Sequence, residues 1–179
     1  MRIISGRLKG RSINSPQGIR PTQDKVRKAI FDILGDIEGL SFLELFSGSG
    51  AVGLEAASQR AGNVVFVERN PKFAKIIKDN LSLLGYLPYS VIALDVFKTI
   101  KILSEDKKKF DLIFLDPPYY KDMAKKTLKM LSTYDIVAPN GFVIIQHFKK
   151  DNLPEVSGDL VLFKQGRYGD TVLSFYRKG

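Results

Sequence analysis

From Phe42 onward, short apolar runs alternate with stretches of helical period, and no other feature of the chain constrains its fold as tightly. The runs lie at 42–46, 64–67, 89–94, 112–115 and 142–145, and the spacing predicts helices over 51–60, 71–84, 96–105 and 122–134. Strands that are apolar on both faces need cover on both sides, so this succession predicts an α/β fold with a mostly parallel sheet between helical layers. The second helix shows the logic: Asn70 stands at the cap, Pro71 takes the first helical position, and Phe73, Ile76, Ile77, Leu81 and Leu84 form one stripe before Gly85. Two last runs, 160–163 and 171–176, are joined by the turn-like stretch 165–170 with no room for a helix. They should pair as an antiparallel hairpin at one sheet edge, giving seven strands in the order 3-2-1-4-5-7-6 with the last one antiparallel.

The N-terminal stretch reads differently. Residues 2–13 carry β-branched side chains around Gly6 and Gly10, which suits a small hairpin, and Pro16, Gly18 and Pro21 then interrupt the chain. Thr22 is the expected cap of a helix to Leu34, with Val26, Ile30, Ile33 and Leu34 on one stripe and Gly35 at its end. The expected organisation is a basic N-terminal hairpin or arm over 1–20 and one domain over 21–179. Residues 1–28 hold eight basic side chains against the single acid Asp24, which accounts for +7 of the formal +9. A cationic excess gathered at one end points to a surface that meets phosphates, because each neutralised phosphate releases counterions. The candidate nucleic-acid contacts are Arg2, Arg7, Lys9, Arg11, Arg20 and Lys25. Lys107 to Lys109 and Lys149-Lys150 read as solvated loop charges.

Other classes are narrowed by what the chain lacks. There is no cysteine, so neither a disulfide framework nor a thiolate zinc site can form, and the single His147 reads as a structural residue. No metal site is expected. No apolar run approaches a membrane span and the first residues do not resemble a signal peptide, so a cytoplasmic protein without a membrane partner is expected.

In doubly wound folds ligands sit beyond the carboxyl ends of the strands, and four of those ends carry acids or glycines. The first is Glu44-Leu45-Phe46-Ser47-Gly48-Ser49-Gly50-Ala51-Val52-Gly53. Its glycines admit close backbone approach and are expected to leave amides free at the helix start, a pattern that fits a dinucleotide equally well. The second is Glu68, placed to accept hydrogen bonds from ribose hydroxyls, and the third is Asp95, placed to receive an adenine amino group beside the apolar face of Phe97. Three acids suit a cationic sulfonium ligand such as S-adenosylmethionine better than a pyrophosphate. The candidate donor site is therefore Glu44, Phe46, Ser47, Gly48, Ser49, Gly50, Glu68, Asp95 and Phe97.

The fourth end is Asp116-Pro117-Pro118-Tyr119, following the run 110–115. An exocyclic amine on a base is a poor nucleophile because its lone pair is delocalised into the ring. Two acceptors, the Asp116 carboxylate and the Pro117 carbonyl, can hold both amine hydrogens and favour the pyramidal form, while the prolines fix the backbone. Tyr119 would stack on a base taken out of its helix. This set is the candidate catalytic loop.

With these motifs in order, the chain resembles the bacterial 16S ribosomal RNA guanine-N2 methyltransferases of the RsmD type, nearly end to end. The resemblance rests on Arg2-Ile3-Ile4-Ser5-Gly6-Arg7 with Lys9-Gly10-Arg11, on Arg20-Pro21-Thr22 with Asp24-Lys25-Val26-Arg27, on the stretch 44–56, on the acid at 68 and on the loop 116–119. It implies a Rossmann-like class I methyltransferase fold and methyl transfer from S-adenosylmethionine to the 2-amino group of one guanine. It also implies an RNA-binding monomer acting on the small ribosomal subunit or its assembly intermediate. Two departures stand out: Glu44 where Asp is more usual, and Gln146-His147 where Glu is expected after the fifth strand. The physical argument from the loop alone covers adenine N6 and cytosine N4 as well, in RNA or DNA. A dehydrogenase reading of the glycines has no residue for hydride chemistry, and a binding module with a degenerate site does not account for four intact strand ends.

Overall fold

The computed structural model describes residues 1–19, 22–85, 88–119 and 122–179, and the chain divides into two units, Met1–Asp95 and Val96–Gly179. In the first unit, helix α1 (Asp24–Leu34) precedes β1 (Ser41–Leu45), α2 (Ala51–Ser58), β2 (Asn63–Val67), α3 (Pro71–Leu84) and β3 (Tyr89–Ile92). Its strands run parallel in the order β3-β2-β1, with Leu45 opposite Val67 and Val67 opposite Ile92, so all three end at the same level. That alignment is what gathers the loops after β1 and β2. Phe42, Leu43 and Leu45 of β1 and Val64, Phe66 and Val67 of β2 are fully buried, as two-faced apolar strands require. Asn70 caps α3 through a bond from the Lys72 amide (3.0 Å), and Gly85 ends it in the left-handed conformation.

The second unit runs α4 (Val96–Glu105), β4 (Phe110–Leu115), α5 (Met123–Thr133), β5 (Val137–Phe148), β6 (Val156–Ser157), β7 (Leu160–Tyr168) and β8 (Thr171–Lys178). β4 and β5 are parallel, and β5, β8, β7 and β6 follow side by side, each antiparallel to the last. Among the described residues there are eight strands, not seven: the addition is the two-residue β6, whose Val156 and Ser157 pair with Val161 and Leu160. The orders 3-2-1 and 4-5-7-6 hold within their units, the last expected strand corresponding to β8.

Three local expectations need correction. Gln23, not Thr22, stands at the start of α1 without a side-chain cap, and the first turn is held instead by the Asp24–Arg27 ion pair at 2.6 Å. The buried stripe of that helix is Val26, Arg27, Ile30 and Phe31, while Ile33 and Leu34 stay half-buried. The 165–170 stretch is not a broad turn, because Gln165 to Tyr168 continue the ladder opposite Ser174 to Thr171 and only Gly169-Asp170 turn the chain. Ladder bonds use the backbone alone, so polar side chains are no obstacle on a hairpin with an open face.

The N-terminal residues form one antiparallel bridge, Arg2 with Ser12, not a two-stranded hairpin. Their order comes from the helices beneath. The buried Glu55 of α2 accepts from the amides of Ile4 (3.1 Å) and Ser5 (2.7 Å), Ser58 accepts from Leu8 and Arg7, and the buried Asn80 of α3 exchanges two bonds of 2.9 Å with the backbone of Asn14. Gly6 lies at φ 71°, and a Cβ there would collide with the Ser58 carbonyl, so only glycine allows this approach.

Candidate active site

In the first unit the loop between β1 and α2 is held from below and behind. Phe46, Gly48 and Gly50 lie at φ of 56°, 52° and 72°. Two of these are glycines, for which the conformation costs little, and Phe46 carries the strain that often marks a functional loop. Ser47 locks the loop to β2: its Oγ donates to the Glu44 carbonyl (2.7 Å) and accepts from the Val67 amide (3.1 Å), and its own amide donates to the Val67 carbonyl (3.0 Å). Ser49 is buried within the same loop.

Glu44, only 2% exposed, turns its carboxylate onto the first turn of α2, where it accepts from the amides of Val52 (3.3 Å) and Gly53 (3.1 Å). The Gly50 amide is bonded to the Ser47 carbonyl at 2.6 Å. The expectation of free amides at this helix start is thus corrected. An anion already complements the helix dipole there, so a pyrophosphate would meet repulsion instead of donors. Gly53 serves packing: a Cβ on it would run into Phe66 and lie 2.8 Å from Glu44 Oε2.

Glu68, at the end of β2, is 8% exposed and accepts from the amides of Gly48 (2.8 Å) and Asn70 (2.7 Å). A carboxylate has about four acceptor directions, so two remain for hydroxyls. Asp95 is half-buried, immediately before α4. Phe97, across the unit boundary, lines a groove of about 340 Å³ with Lys126, Met130 and Tyr134 among others.

In the second unit the candidate catalytic loop follows β4 directly. Leu115 pairs with Ile145, which makes Asp116 and Gln146 lateral neighbours, and Gln146 Nε2 donates to Asp116 Oδ2 at 2.9 Å. Part of the Asp116 surface stays accessible, yet its carboxyl is enclosed by protein, and burial pushes it from an ordinary 3.8 up to about 7. Pro117 is buried and Pro118 exposed. The Tyr119 ring lies against Phe148, with centroids 5.9 Å apart, and its hydroxyl reaches Thr171 Oγ1 at 3.5 Å. An aromatic platform thus stands beside a carboxyl poised near neutrality, at one strand end. His147 turns away: its Nε2 lies 2.7 Å from Ser174 Oγ and its Nδ1 3.1 Å from the Phe148 carbonyl, and burial lowers its pKa. It is a satisfied structural residue.

Arg2, Arg7, Lys9, Arg11 and Lys25 are exposed, and none forms an ion pair among the described residues. Arg20 lies outside the described residues. By contrast Lys109 pairs with Asp135 (2.7 Å) and Lys149 with Asp170 (2.6 Å), so part of the charge read as solvated is internally matched. Arg27, counted in the basic end, is fully buried between Asp24, Glu55 and the Arg2 carbonyl. The sequence marks Gln146 only as a departure from the family pattern and assigns it no role. Its signal was available, since it follows its apolar run as Asp116 follows its own. Among the described residues no group of three or more His, Asp or Glu side chains could hold a metal ion, and no helix is long and apolar enough to cross a membrane.

Comparison with known proteins places this geometry in a family. The chain is similar to YlbH of Bacillus subtilis (strain 168), provisionally named an rRNA methyltransferase, with 36% identity over 99% of each chain. It is 34% identical to ribosomal RNA small subunit methyltransferase D of Buchnera aphidicola (subspecies Acyrthosiphon pisum), over 84% of this chain and 80% of that one. The solved structure of yhhF from Escherichia coli, provisionally described as a methyltransferase, superposes with a TM-score of 0.88 at 26% identity, covering 99% of this chain and 97% of that one. That match shows a Rossmann-like methyltransferase fold. Residues 1–177 match the family described as Conserved hypothetical protein 95, and the chain belongs to this family, the RsmD type.

Proposed function

We propose that this chain transfers a methyl group from S-adenosylmethionine to the exocyclic 2-amino group of a guanine in the 16S RNA of the small ribosomal subunit. The observation that carries the reading is the enclosed Asp116 carboxyl, bonded to Gln146 and followed by Pro117, Pro118 and the Tyr119 platform. A carboxyl poised near neutrality holds an amine hydrogen when ionised and can take the proton released as the new bond forms. The Pro117 carbonyl is the second acceptor. Tyr119 supplies the face on which a base extruded from its stack can rest. Holding amine and methyl in line can contribute up to roughly 7 to 11 kcal/mol.

S-adenosylmethionine, when bound, supplies an electrophilic methyl on a positively charged sulfur. The residues of the first unit fit such a ligand: Glu68 has acceptor directions left for ribose hydroxyls, Asp95 follows the third strand, and Glu44 closes the α2 start to phosphates. Phe46, Ser47, Gly48, Ser49 and Gly50 would form the floor of that site, and Phe97 an apolar face of it. Residues 1–20 would face the RNA, with the exposed cations lacking ion-pair partners on phosphates, and 21–179 form the methyltransferase domain. The names of the relatives support ribosomal RNA as the substrate class, and the choice of guanine follows the family resemblance.

The test uses small subunits from cells lacking the gene, incubated with this protein and methyl-labelled donor, followed by nucleoside mass spectrometry. Label is expected in N2-methylguanosine. Label in N6-methyladenosine would keep the chemistry and remove the base assignment, and label on a ring carbon or ribose hydroxyl would remove both.

A further inference from the structure

Gln146 is 94% buried by the measure of its 6% exposure, and its carbonyl Oε1 is buried with no hydrogen-bond partner among the described residues. The other half of the same amide makes the one bond to the Asp116 carboxyl that the described residues offer. An amide that sends its donor to Asp116 while leaving its acceptor unmatched is arranged for an ionised carboxylate, since the reverse orientation would set two oxygens against each other. When Asp116 gains a proton its carboxyl keeps an acceptor oxygen but becomes a donor as well, and Oε1, otherwise unmatched among the described residues, is the group on the same amide that can accept from it. We propose that Gln146 is a positioning residue that keeps Asp116 aimed in both protonation states, its side-chain amide turning over as the proton arrives.

This inference rests on the reading of Asp116 as the group that holds the substrate amine. In that reading the amine nitrogen gains the methyl carbon and loses a proton to the Asp116 carboxylate, and the donor sulfur keeps the electron pair of the broken carbon–sulfur bond. A carboxylate that takes a proton each turnover and returns it to solvent needs a neighbour serving both forms without moving the chain. An amide carries donor and acceptor on one rotatable plane and does not itself titrate. A Glu at 146, the residue that the family resemblance led us to expect, would set a second carboxylate one hydrogen bond from the first, and the pair would hold a shared proton. A Leu would leave Asp116 without a partner. The titratable groups on neighbouring elements are otherwise engaged. His147 faces Ser174 and the Phe148 carbonyl, Asp151 accepts from the Phe148 amide, Lys149 pairs with Asp170, and Tyr119 faces Thr171.

The experiment follows the Asp116 carboxyl carbon by NMR through a pH titration, assigned with Asp116→Asn, in the wild-type protein and in Gln146→Leu and Gln146→Glu. The Gln146 side-chain amide signals of the wild type should shift with the same midpoint as Asp116. In Gln146→Leu the midpoint should rise by about half a unit or more, and in Gln146→Glu the carboxyl should titrate in two steps. S-adenosylhomocysteine affinity should stay within about twofold of wild type in both variants, while kcat for methyl transfer falls about tenfold or more in Gln146→Leu and its acid limb moves with the measured midpoint in each variant. The Glu variant keeps the side-chain volume, so it remains informative if the Leu variant folds poorly. Wild-type and Gln146→Leu titrations that coincide, or amide signals that ignore the Asp116 midpoint, would overturn the proposal. The titration needs no substrate. A wild-type protein that methylates nothing would therefore sink the functional reading while Gln146 is still judged by the carboxyl it holds.

Discussion

Replacing Asp116 by Asn should make this protein more stable above neutral pH and leave its stability almost unchanged in acid. The folded carboxyl is raised from 3.8 to about 7 by burial, whereas in the unfolded chain it titrates at its ordinary value. Between those two values the folded state holds a proton that the unfolded state has lost, so the unfolded state binds fewer protons and stability falls as pH climbs. The loss begins near pH 4, is complete slightly above 7, and stays constant beyond. At 1.36 kcal/mol per unit, a rise of about three units sets a ceiling of about 4 kcal/mol, and the accessible part of Asp116 brings the working figure to about 2 to 4 kcal/mol. Asn fills the same space, does not titrate, and can still accept from Gln146 Nε2. Denaturant unfolding of both proteins from pH 4.5 to 8.5 reads the difference directly, because pH effects from other groups cancel. The variant should exceed wild type by no more than about 1 kcal/mol at the acid end and by the full margin at the alkaline end. A margin independent of pH, or a variant that is weaker at pH 8, would refute the raised carboxyl and with it the proton-accepting role. The same variant should retain S-adenosylhomocysteine affinity and lose nearly all methyl transfer.

Wild-type methyl transfer should rise with pH through about 7, following ionisation of Asp116, and a kcat profile flat from pH 6 to 8.5 would detach catalysis from that carboxyl. Glu68→Gln should weaken donor binding by about 1.5 to 3 kcal/mol, since charged hydrogen bonds are the stronger kind; calorimetry with S-adenosylhomocysteine measures it, and an unchanged affinity takes Glu68 out of the site. Glu55→Ala should destabilise by about 3 to 5 kcal/mol, because it strips the buried Arg27 of a carboxylate 3.9 Å away and frees the Ile4 and Ser5 amides; a loss below 1 kcal/mol in urea unfolding would show that the segment is not held this way. Reversing Arg7, Lys9 and Arg11 to Glu should lower RNA affinity and flatten its salt dependence, as fewer counterions are released, with donor affinity as the control.

Much of the architecture could be read from the sequence because one physical rule governed it. β1, β2 and β4 are covered on both faces, so apolar residues dominate them, with Glu44 and Asp111 as the charged exceptions, and α3 carries its cap, its first-position proline and its terminal glycine in full view. The rule fails where burial is not apolar. Arg27 was counted as surface charge, and nothing near it in sequence announces that Glu55, on another helix, lies beside it in the core. Glu55 itself lies inside a stretch whose conspicuous pattern is its glycine spacing. β7 was cut short at its polar residues because side-chain pattern says little about a ladder whose bonds are backbone to backbone.

The glycine loop shows where pattern and chemistry part. Gly48, Gly50 and Gly53 satisfy a spacing shared by dinucleotide and methyl-donor sites, and the spacing cannot choose between them. What chooses is Glu44, four residues before the first glycine, whose carboxylate reaches the Val52 and Gly53 amides and places a negative charge where a pyrophosphate would need donors. The third glycine is required by that same contact, since any Cβ at 53 would press on Glu44 Oε2 and Phe66. Residues that look like a phosphate cradle in one dimension are therefore, in three, a closed helix start beside an acid-lined strand end. A positively charged ligand is favoured there for the same reason that an anionic one is refused.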